Sequence, residues 1–300
     1  MIKCRKGGEQ MKKKYLVTKS NTLIMKKYNL DLLEQKLILI LISMIEPGDV
    51  GFKCYQLKVT DLCKLLKVNY KGYHGYFYKL TKKLVFKGVE VINENGNPLS
   101  SAWLSSCEYK VNEGIIECEI SEKLKPFLLE LKEKFTKYKL ENILNLNSKY
   151  SIRLYEICKS HYYLNTKEIS VEELKYIMDA EKYKRWSNFK QMCLDVAVEE
   201  INKKTDICIK YSSIKEGRSI TALRFSIKDN IGNDKINADE NCSNILNHLN
   251  YNKTNNNKSK KLKTNNFSNR QYDNEIKLEN ALLYGLNNAE ELEEVLKVKK

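Results

Sequence analysis

The stretch Trp186-Ser-Asn-Phe-Lys-Gln-Met-Cys-Leu-Asp-Val-Ala-Val-Glu-Glu-Ile-Asn-Lys203 decides the fold, together with the two segments that follow it. Its apolar residues recur at helical spacing and predict one inward stripe. The segments Ile207–Tyr211 and Ile220–Ile227 alternate apolar and polar residues around a turn at Glu216-Gly217, which predicts a β-hairpin. The stripe consists of Trp186, Phe189, Cys193, Val196, Ala197 and Ile201.

Two shorter helices are predicted before this unit. Ser148 and Ser170 are favourable N-cap residues. Apolar residues recur at helical spacing after each serine, as Ile152 and Leu174 illustrate. The resulting order of helix, helix, helix and hairpin is the order of a winged-helix domain.

The same order of elements occurs in the first half of the chain. Apolar residues form a helical stripe over Leu30–Ile45, a short helix follows with Thr60 as its N-cap, and a third helix begins after Asn69. Alternating segments then predict a hairpin sheet. These segments are Val89–Ile92, Ser101–Tyr109 and Ile115–Ile120.

The predicted fold class is therefore α+β and helix-rich, with two tandem winged-helix domains over residues 15–139 and 140–230. The second domain carries the long helix described above. The first domain is basic and rich in tyrosine, which fits dimerisation or an auxiliary DNA contact.

Two flanking segments complete the organisation. Residues 1–14 form a basic extension, and Met11 is an alternative start because Lys6-Gly7-Gly8 can be encoded by a purine-rich ribosome-binding sequence. Residues 231–300 are rich in Asn and Lys and have too few apolar residues to offset the entropy of ordering, which predicts a disordered tail. A leucine stripe with flanking acids predicts a terminal helix over 275–298.

The charge balance favours a polyanionic partner. The 300 residues hold 53 Lys and Arg against 38 Asp and Glu, a formal net charge of +15, and the pI is about 9.2. Nucleic acid is the first candidate for such a basic chain. No run approaches the roughly 18–20 apolar residues of a membrane span, and the N-terminus lacks the apolar core of a signal peptide. We therefore expect a cytoplasmic protein.

The motifs of common enzyme classes are missing from the sequence. Neither G-x-x-x-x-G-K-[ST] nor G-x-G-x-x-G occurs, so a P-loop ATPase is excluded. Cys158 and His161 share a helical face, but no second Cys or His pair lies at zinc spacing. Glu117 and Glu119 lie on one face of a strand, as two-metal catalysis would need, although a solvated strand face explains them better. We expect no catalytic residues, no metal and no cofactor.

The long helix of the second domain leaves a polar face free of core residues. Ser187, Asn188, Lys190 and Gln191 lie outside the inward stripe near its N-terminal end, with Leu194 at the edge of the same face. Asn and Gln suit adenine edges and Lys suits guanine, so these side chains are the predicted base contacts. Basic residues that could hold phosphates lie in two places, directly before the helix and at the tip of the predicted β-hairpin, which is the wing of this domain. They are Lys184, Arg185, Lys215 and Arg218.

Several segments, taken in order, resemble plasmid replication initiators of the tandem winged-helix Rep family, and the resemblance covers Tyr15 to Asp229. The strongest are Asn147–Glu156, Tyr183–Phe189, Glu200–Asp206 and Lys215–Arg218. The resemblance implies that the second domain is the main DNA reader, with base contacts from Ser187, Asn188, Lys190 and Gln191. It implies phosphate contacts from Lys149, Tyr150, Lys184, Arg185, Lys215 and Arg218. Gln191 and Met192 stand where arginines are frequent in relatives, so the base preference does not carry over.

The resemblance further implies a function at double-stranded DNA. Such a protein binds direct repeats, or iterons, at a plasmid origin as a monomer, melts nearby A·T-rich DNA and recruits the host initiator and replicative helicase. A dimer formed through the first domain represses its own gene at an inverted repeat. Two alternatives stay open, a winged-helix repressor without a replication role and an origin-acting primase or polymerase.

Overall fold

The computed structural model describes most of the first 230 residues. The described residues are 15–46, 48–68, 73–93, 95–131 and 134–230. The predicted basic extension over residues 1–14 and the alternative start at Met11 lie outside them. So do the predicted tail over 231–300 and its helix at 275–298.

Helices and short sheets alternate in the first domain. The helices are α1 (Asn21–Ile24), α2 (Leu32–Ser43), α3 (Val59–Leu65), α4 (Tyr73–Leu84) and α5 (Lys125–Leu128). The strands are β1 (Leu16–Ser20), β2 (Cys54–Lys58), β3 (Gly88–Ile92), β4 (Pro98–Ala102), β5 (Leu104–Lys110), β6 (Ile115–Ile120) and β7 (Phe135–Lys139). Helix α6 (Leu140–Leu144) follows directly after the predicted boundary and packs against α2 and β7.

The second domain has fewer elements and one sheet among the described residues. Its helices are α7 (Lys149–Ser160), α8 (Val171–Ile177), α9 (Trp186–Phe189) and α10 (Val196–Lys204), with a π-helix over Lys190–Asp195 that joins α9 to α10. Its strands are β8 (Thr166–Ser170), β9 (Ile207–Glu216) and β10 (Ser219–Asp229).

The two domains share one topology. In each, a helix is followed by a short strand, two helices and two further strands. The three strands form an antiparallel sheet in the order β2-β6-β5 in the first domain and β8-β10-β9 in the second. The β3–β4 hairpin is an insertion in the first copy, and β1 pairs with β7. The duplication inferred from element order is thus visible in the pairing of the strands.

Helix α2 is the buried centre of the first domain. The side chain of Asp31 accepts a hydrogen bond from the backbone N–H of Glu34, and the Glu34 carboxylate accepts one from that of Asp31, which together form a capping box. Every residue from Glu34 to Ser43 is buried, because the helix packs against both β1 and α6. The sequence predicted burial along a single apolar stripe over Leu30–Ile45, whereas the structure buries residues on every side of the helix from Glu34 to Ser43.

Two sequence predictions for the first domain are wrong in detail. The segment Ser101–Tyr109 is not one strand, because the chain passes from the sheet with β3 to the sheet with β6 at Trp103, whose indole is 1% exposed. Thr60 is not an N-cap, because β2 runs directly into α3 and the helix already begins at Val59. The N-caps at Ser148 and Ser170 are confirmed.

A buried ion cluster connects the two domains. The Nζ of Lys19 on β1 donates to the carboxylate of Glu156 on α7 at 2.5 Å, and Arg153 Nη1 donates to the same carboxylate at 2.6 Å. All three side chains are 1% exposed. Burial alone would raise the pKa of Glu156, but the charges of Lys19 and Arg153 outweigh it and lower the pKa.

Arg153 extends this cluster into the first domain. Its Nη2 donates to the carbonyl oxygens of Ile24 and Lys26, and its guanidinium lies 3.8 Å from the ring centroid of Tyr28. The hydroxyl of Tyr138 on β7 donates to the Glu156 carboxylate. Buried charges are tolerated only when they are paired and hydrogen-bonded, so the cluster fixes β1, β7 and α7 together.

Removal of the Glu156 charge tests this connection. Glu156→Gln leaves Lys19 and Arg153 as buried cations without a counter-charge, and we expect it to lower the free energy of unfolding by about 3–5 kcal/mol. Denaturant unfolding measures the change. Glu168→Gln is the control because Glu168 pairs with Arg224 at the exposed surface, where a pair contributes at most about 1 kcal/mol. Equal losses in the two variants would contradict the structural role of the cluster.

Candidate nucleic-acid interface

The third helix of the second domain runs without a break from Trp186 to Lys204 through the π-helix. Its buried side packs on α7 and the sheet. The prediction placed Val196 inside and Leu194 at the outer edge, and both placements are wrong. Leu194 is 0% exposed and Val196 is 39% exposed. The buried side chains are Phe189, Cys193, Leu194, Ala197 and Ile201.

The π-helix explains this shift of the inward stripe. Residues five apart lie about 140° from each other around an α-helix, whereas the wider π-turn brings them to one side. Lys190 and Asp195 are five apart, and Lys190 Nζ donates to Asp195 Oδ2 at 2.6 Å. The hydroxyl of Tyr211 on β9 donates to Asp195 Oδ1 at 2.7 Å. Asp195 thus ties the π-turn to the first strand of the wing.

The electrostatics of this triad follow from its contacts. The hydrogen bond to Asp195 raises the pKa of Lys190. Burial alone would raise the pKa of Asp195, but the hydrogen bonds from Lys190 and Tyr211 outweigh it and lower the pKa. Lys190 is therefore a charged side chain that is already paired within the protein.

The other predicted base contacts lie on the solvent side of the helix. Ser187, Asn188 and Gln191 are exposed, while Lys190 is half-buried and held by Asp195. Two apolar side chains share this surface, and the sequence pattern did not select them. We call it the outer face, and it consists of Ser187, Asn188, Gln191, Met192 and Val196.

Exposed cations lie at the start of the third helix and on the β9–β10 hairpin. Lys184 and Arg185 immediately precede the helix and are exposed. Lys215 and Arg218 are exposed at the tip of the β9–β10 hairpin, where Gly217 adopts a φ of +61°. Strand β8 pairs only with residues 222–226 of β10, so the tip extends beyond the three-stranded sheet as a two-stranded wing.

Lys149 and Tyr150, predicted to hold phosphates, have partners inside the protein. Lys149 Nζ forms an ion pair with Asp179 at 2.8 Å. Tyr150 is 8% exposed and its ring lies edge-on to Tyr183, with centroids 6.2 Å apart. Burial and the hydrogen bond with Tyr183 raise the pKa of Tyr150. Both residues therefore have partners within the second domain, and their contact with phosphate stays a prediction.

Glu200 joins the third helix to α7. Its carboxylate accepts hydrogen bonds from the backbone N–H groups of Asn147 and Ser148, from the hydroxyl of Ser151 at 2.7 Å and from Lys204 at 2.6 Å. Burial alone would raise the pKa of Glu200, but these hydrogen bonds lower it. Sequence spacing could not reveal these contacts, because the partners at 147–151 belong to another helix and its N-terminus.

The first domain presents a second basic helix in the same topological position. Lys79, Lys82 and Lys83 of α4 are exposed, while Phe77 and Leu84 are fully buried. This amphipathic arrangement leaves the cations of α4 accessible to a polyanion.

The residues considered for metal or catalytic chemistry have structural partners. Glu117 accepts hydrogen bonds from Gln56 and Lys110, and Glu119 accepts one from Ser106. Cys158 is fully buried and the Nδ1 of His161 lies 3.1 Å from the carbonyl oxygen of Ile157. Within the described residues, no three His, Cys, Asp or Glu side chains come together as a metal site would require. None of the helices described there has the length and apolar character to cross a membrane.

Two family models match this chain. Residues 16–159 match the model described as Initiator Replication protein, WH1, and residues 170–227 match the model described as Initiator Rep protein, WH2. Together the matches cover more than half of the chain. The chain belongs to the family of plasmid replication initiators. The predictions of this family and of two tandem winged-helix domains are confirmed. The first match includes α7, and the predicted boundary between residues 139 and 140 stays a prediction.

Individual proteins similar to this initiator support the assignment. A replication initiation protein from Escherichia coli is 25% identical over 228 residues, which cover 71% of this chain and 69% of that protein. The PI protein from Escherichia coli is 34% identical over 149 residues, which cover 42% of this chain and 49% of that protein. The crystal structure of the Pi initiator protein in complex with iteron DNA has the same fold, with a TM-score of 0.62, 24% identity, and coverage of 72% of this chain and 97% of that one.

The hydrogen bonds of Glu200 give the initiator a pH-dependent stability. Glu200→Gln should lower the free energy of unfolding at pH 7 by about 1–3 kcal/mol, because it weakens several charge-assisted hydrogen bonds. The folded pKa lies below the ordinary value of 4.5, so this stabilisation is complete above that pH and is lost as the pH falls through the folded pKa.

Denaturant unfolding at pH 7 and near pH 3 measures the effect. Glu199→Gln is the matched control, since Glu199 directly precedes Glu200 in the same helix and is exposed. A loss that is the same at both pH values, or equal in the two variants, would show that Glu200 does not hold the helix in this way.

Proposed function

We propose that the initiator binds double-stranded DNA at tandem direct repeats of a plasmid origin through the outer face of its second domain. Ser187, Asn188 and Gln191 contact base edges in the major groove, and Lys190 joins them when it leaves Asp195. Lys184, Arg185, Lys215 and Arg218 hold phosphates on both sides of the groove. The observation that carries this proposal is an exposed polar helix face bordered by exposed cations at its start and on the wing.

Family membership supports the replication role. The solved structure of similar fold is a complex of the Pi initiator protein with iteron DNA. For this chain we propose the same kind of site, bound by a monomer, followed by melting of nearby A·T-rich DNA and recruitment of the host initiator and replicative helicase. A dimer formed through the first domain would repress the initiator's own gene at an inverted repeat. The proposed activity is cytoplasmic, involves no catalysis by the chain and needs no cofactor.

A replication assay separates this function from simple repression. The gene and its flanking DNA are joined to a selectable marker that lacks another origin and are introduced into a bacterial host. We expect transformants that maintain the circle, and we expect none with a variant that carries Lys184→Ala, Arg185→Ala, Lys215→Ala and Arg218→Ala together. A matched variant with Lys137→Ala, an exposed lysine on β7, should replicate. Failure of the unaltered gene while it still represses its own promoter would favour a repressor.

We expect the Lys190–Asp195 ion pair to weaken binding to DNA, because it keeps Lys190 paired within the protein. Asp195→Asn removes a negative charge beside the outer face and releases Lys190, so we expect tighter binding to random-sequence duplex. The slope of log affinity against log salt should steepen by about one unit, the effect of one added phosphate contact. Fluorescence anisotropy over a salt series measures both quantities.

Glu130→Gln provides the control for this variant. It makes the same charge change and releases Lys125 in the first domain, away from the outer face. An equal gain in affinity from Glu130→Gln would mean that net charge alone is responsible, and no gain from Asp195→Asn would contradict a role of Lys190 at DNA.

A further inference from the structure

The outer face contains two exposed apolar side chains that the proposed polar contacts do not use. Met192 is 55% exposed and Val196 is 39% exposed. The π-turn places Leu194 in the core and leaves Val196 at the surface. Met192 is also four residues after Asn188, so the two lie on one side of the helix.

The surroundings of these two residues indicate what covers them. Lys184 and Arg185 immediately precede the third helix and are exposed. Lys215 and Arg218 are exposed at the tip of the β9–β10 hairpin, whose first strand is tied to the third helix by the hydrogen bond from Tyr211 to Asp195. This charge favours a polyanion over an apolar protein surface. Duplex DNA presents one apolar group at the base edges of the major groove, which is the 5-methyl group of thymine.

The spacing of the two side chains suits neighbouring base pairs. Residues four apart on an α-helix are separated by about 6 Å along its axis, and the wider π-turn that holds Met192 shortens this separation. Successive base pairs are separated by about 3.4 Å along the duplex. Met192 and Val196 can therefore contact methyl groups within two adjacent steps of one strand.

We propose that Met192, with Val196 beside it, recognises thymine by packing on its 5-methyl group in the major groove. This inference rests on the proposed function, since it assigns a base to a part of the outer face. The DNA site that the initiator recognises then requires A·T pairs at positions other than those that Asn188 and Gln191 contact. The contact adds apolar burial to the hydrogen bonds of the polar residues.

Deoxyuridine, which differs from thymidine by the missing methyl group, provides the test. The preferred duplex is first selected from a random-sequence pool by the unaltered protein. Each thymine is then replaced singly by uracil, and Kd is measured by anisotropy. We expect a 3–5-fold loss of affinity at one or two positions, about the value of one buried methyl group. Met192→Ala should bind the thymine and uracil duplexes equally at the position that Met192 contacts.

Leu164→Ala is the control variant, because Leu164 is 53% exposed outside the third helix. It should keep the full preference for thymine. Sequence-selective binding without any effect of uracil, or an unchanged preference in both Met192→Ala and Val196→Ala, would overturn the inference and leave the proposed function standing. Failure to select any preferred duplex would overturn both.

Discussion

The ion cluster of Lys19, Arg153 and Glu156 is the interaction on which the arrangement of the initiator depends. Three charges that are 1% exposed must satisfy one another, because water cannot do so. Lys19 reaches the cluster only when β1 is paired with β7, and the other two charges require α7 in place. The cluster thus joins β1 and β7 of the first domain to α7, the first helix of the second domain.

The π-turn over Lys190–Asp195 then decides what the second domain presents to DNA. It adds a residue to one turn of the third helix, so that Leu194 is buried and Val196 is exposed. It also brings Lys190 and Asp195 to one side of the helix, where they form an ion pair. Asp195 is also bound by Tyr211 of the wing. One carboxylate therefore controls both the helix surface and the position of the hairpin beside it.

Most of the fold could be predicted from the sequence because the helices and hairpins are long enough to show periodicity. Strand β8 was missed because it buries only Ile169, and one apolar residue gives no alternating pattern. The inward stripe of the third helix was misassigned because a π-turn has no sequence signature at α-helical spacing. Likewise, only the structure shows that Lys149 is paired and Tyr150 buried, since Asp179 and Tyr183 lie about 30 residues away in sequence.

We expect above all that this two-domain unit binds repeated DNA sites in register. Hydroxyl-radical footprinting of the purified full chain on the few hundred base pairs flanking its own gene tests it most directly. We expect protections that recur at an even spacing over direct repeats and persist as salt is raised, whereas non-specific contacts fade. Protection of a single inverted repeat, or salt-sensitive protection with no regular spacing, would contradict it.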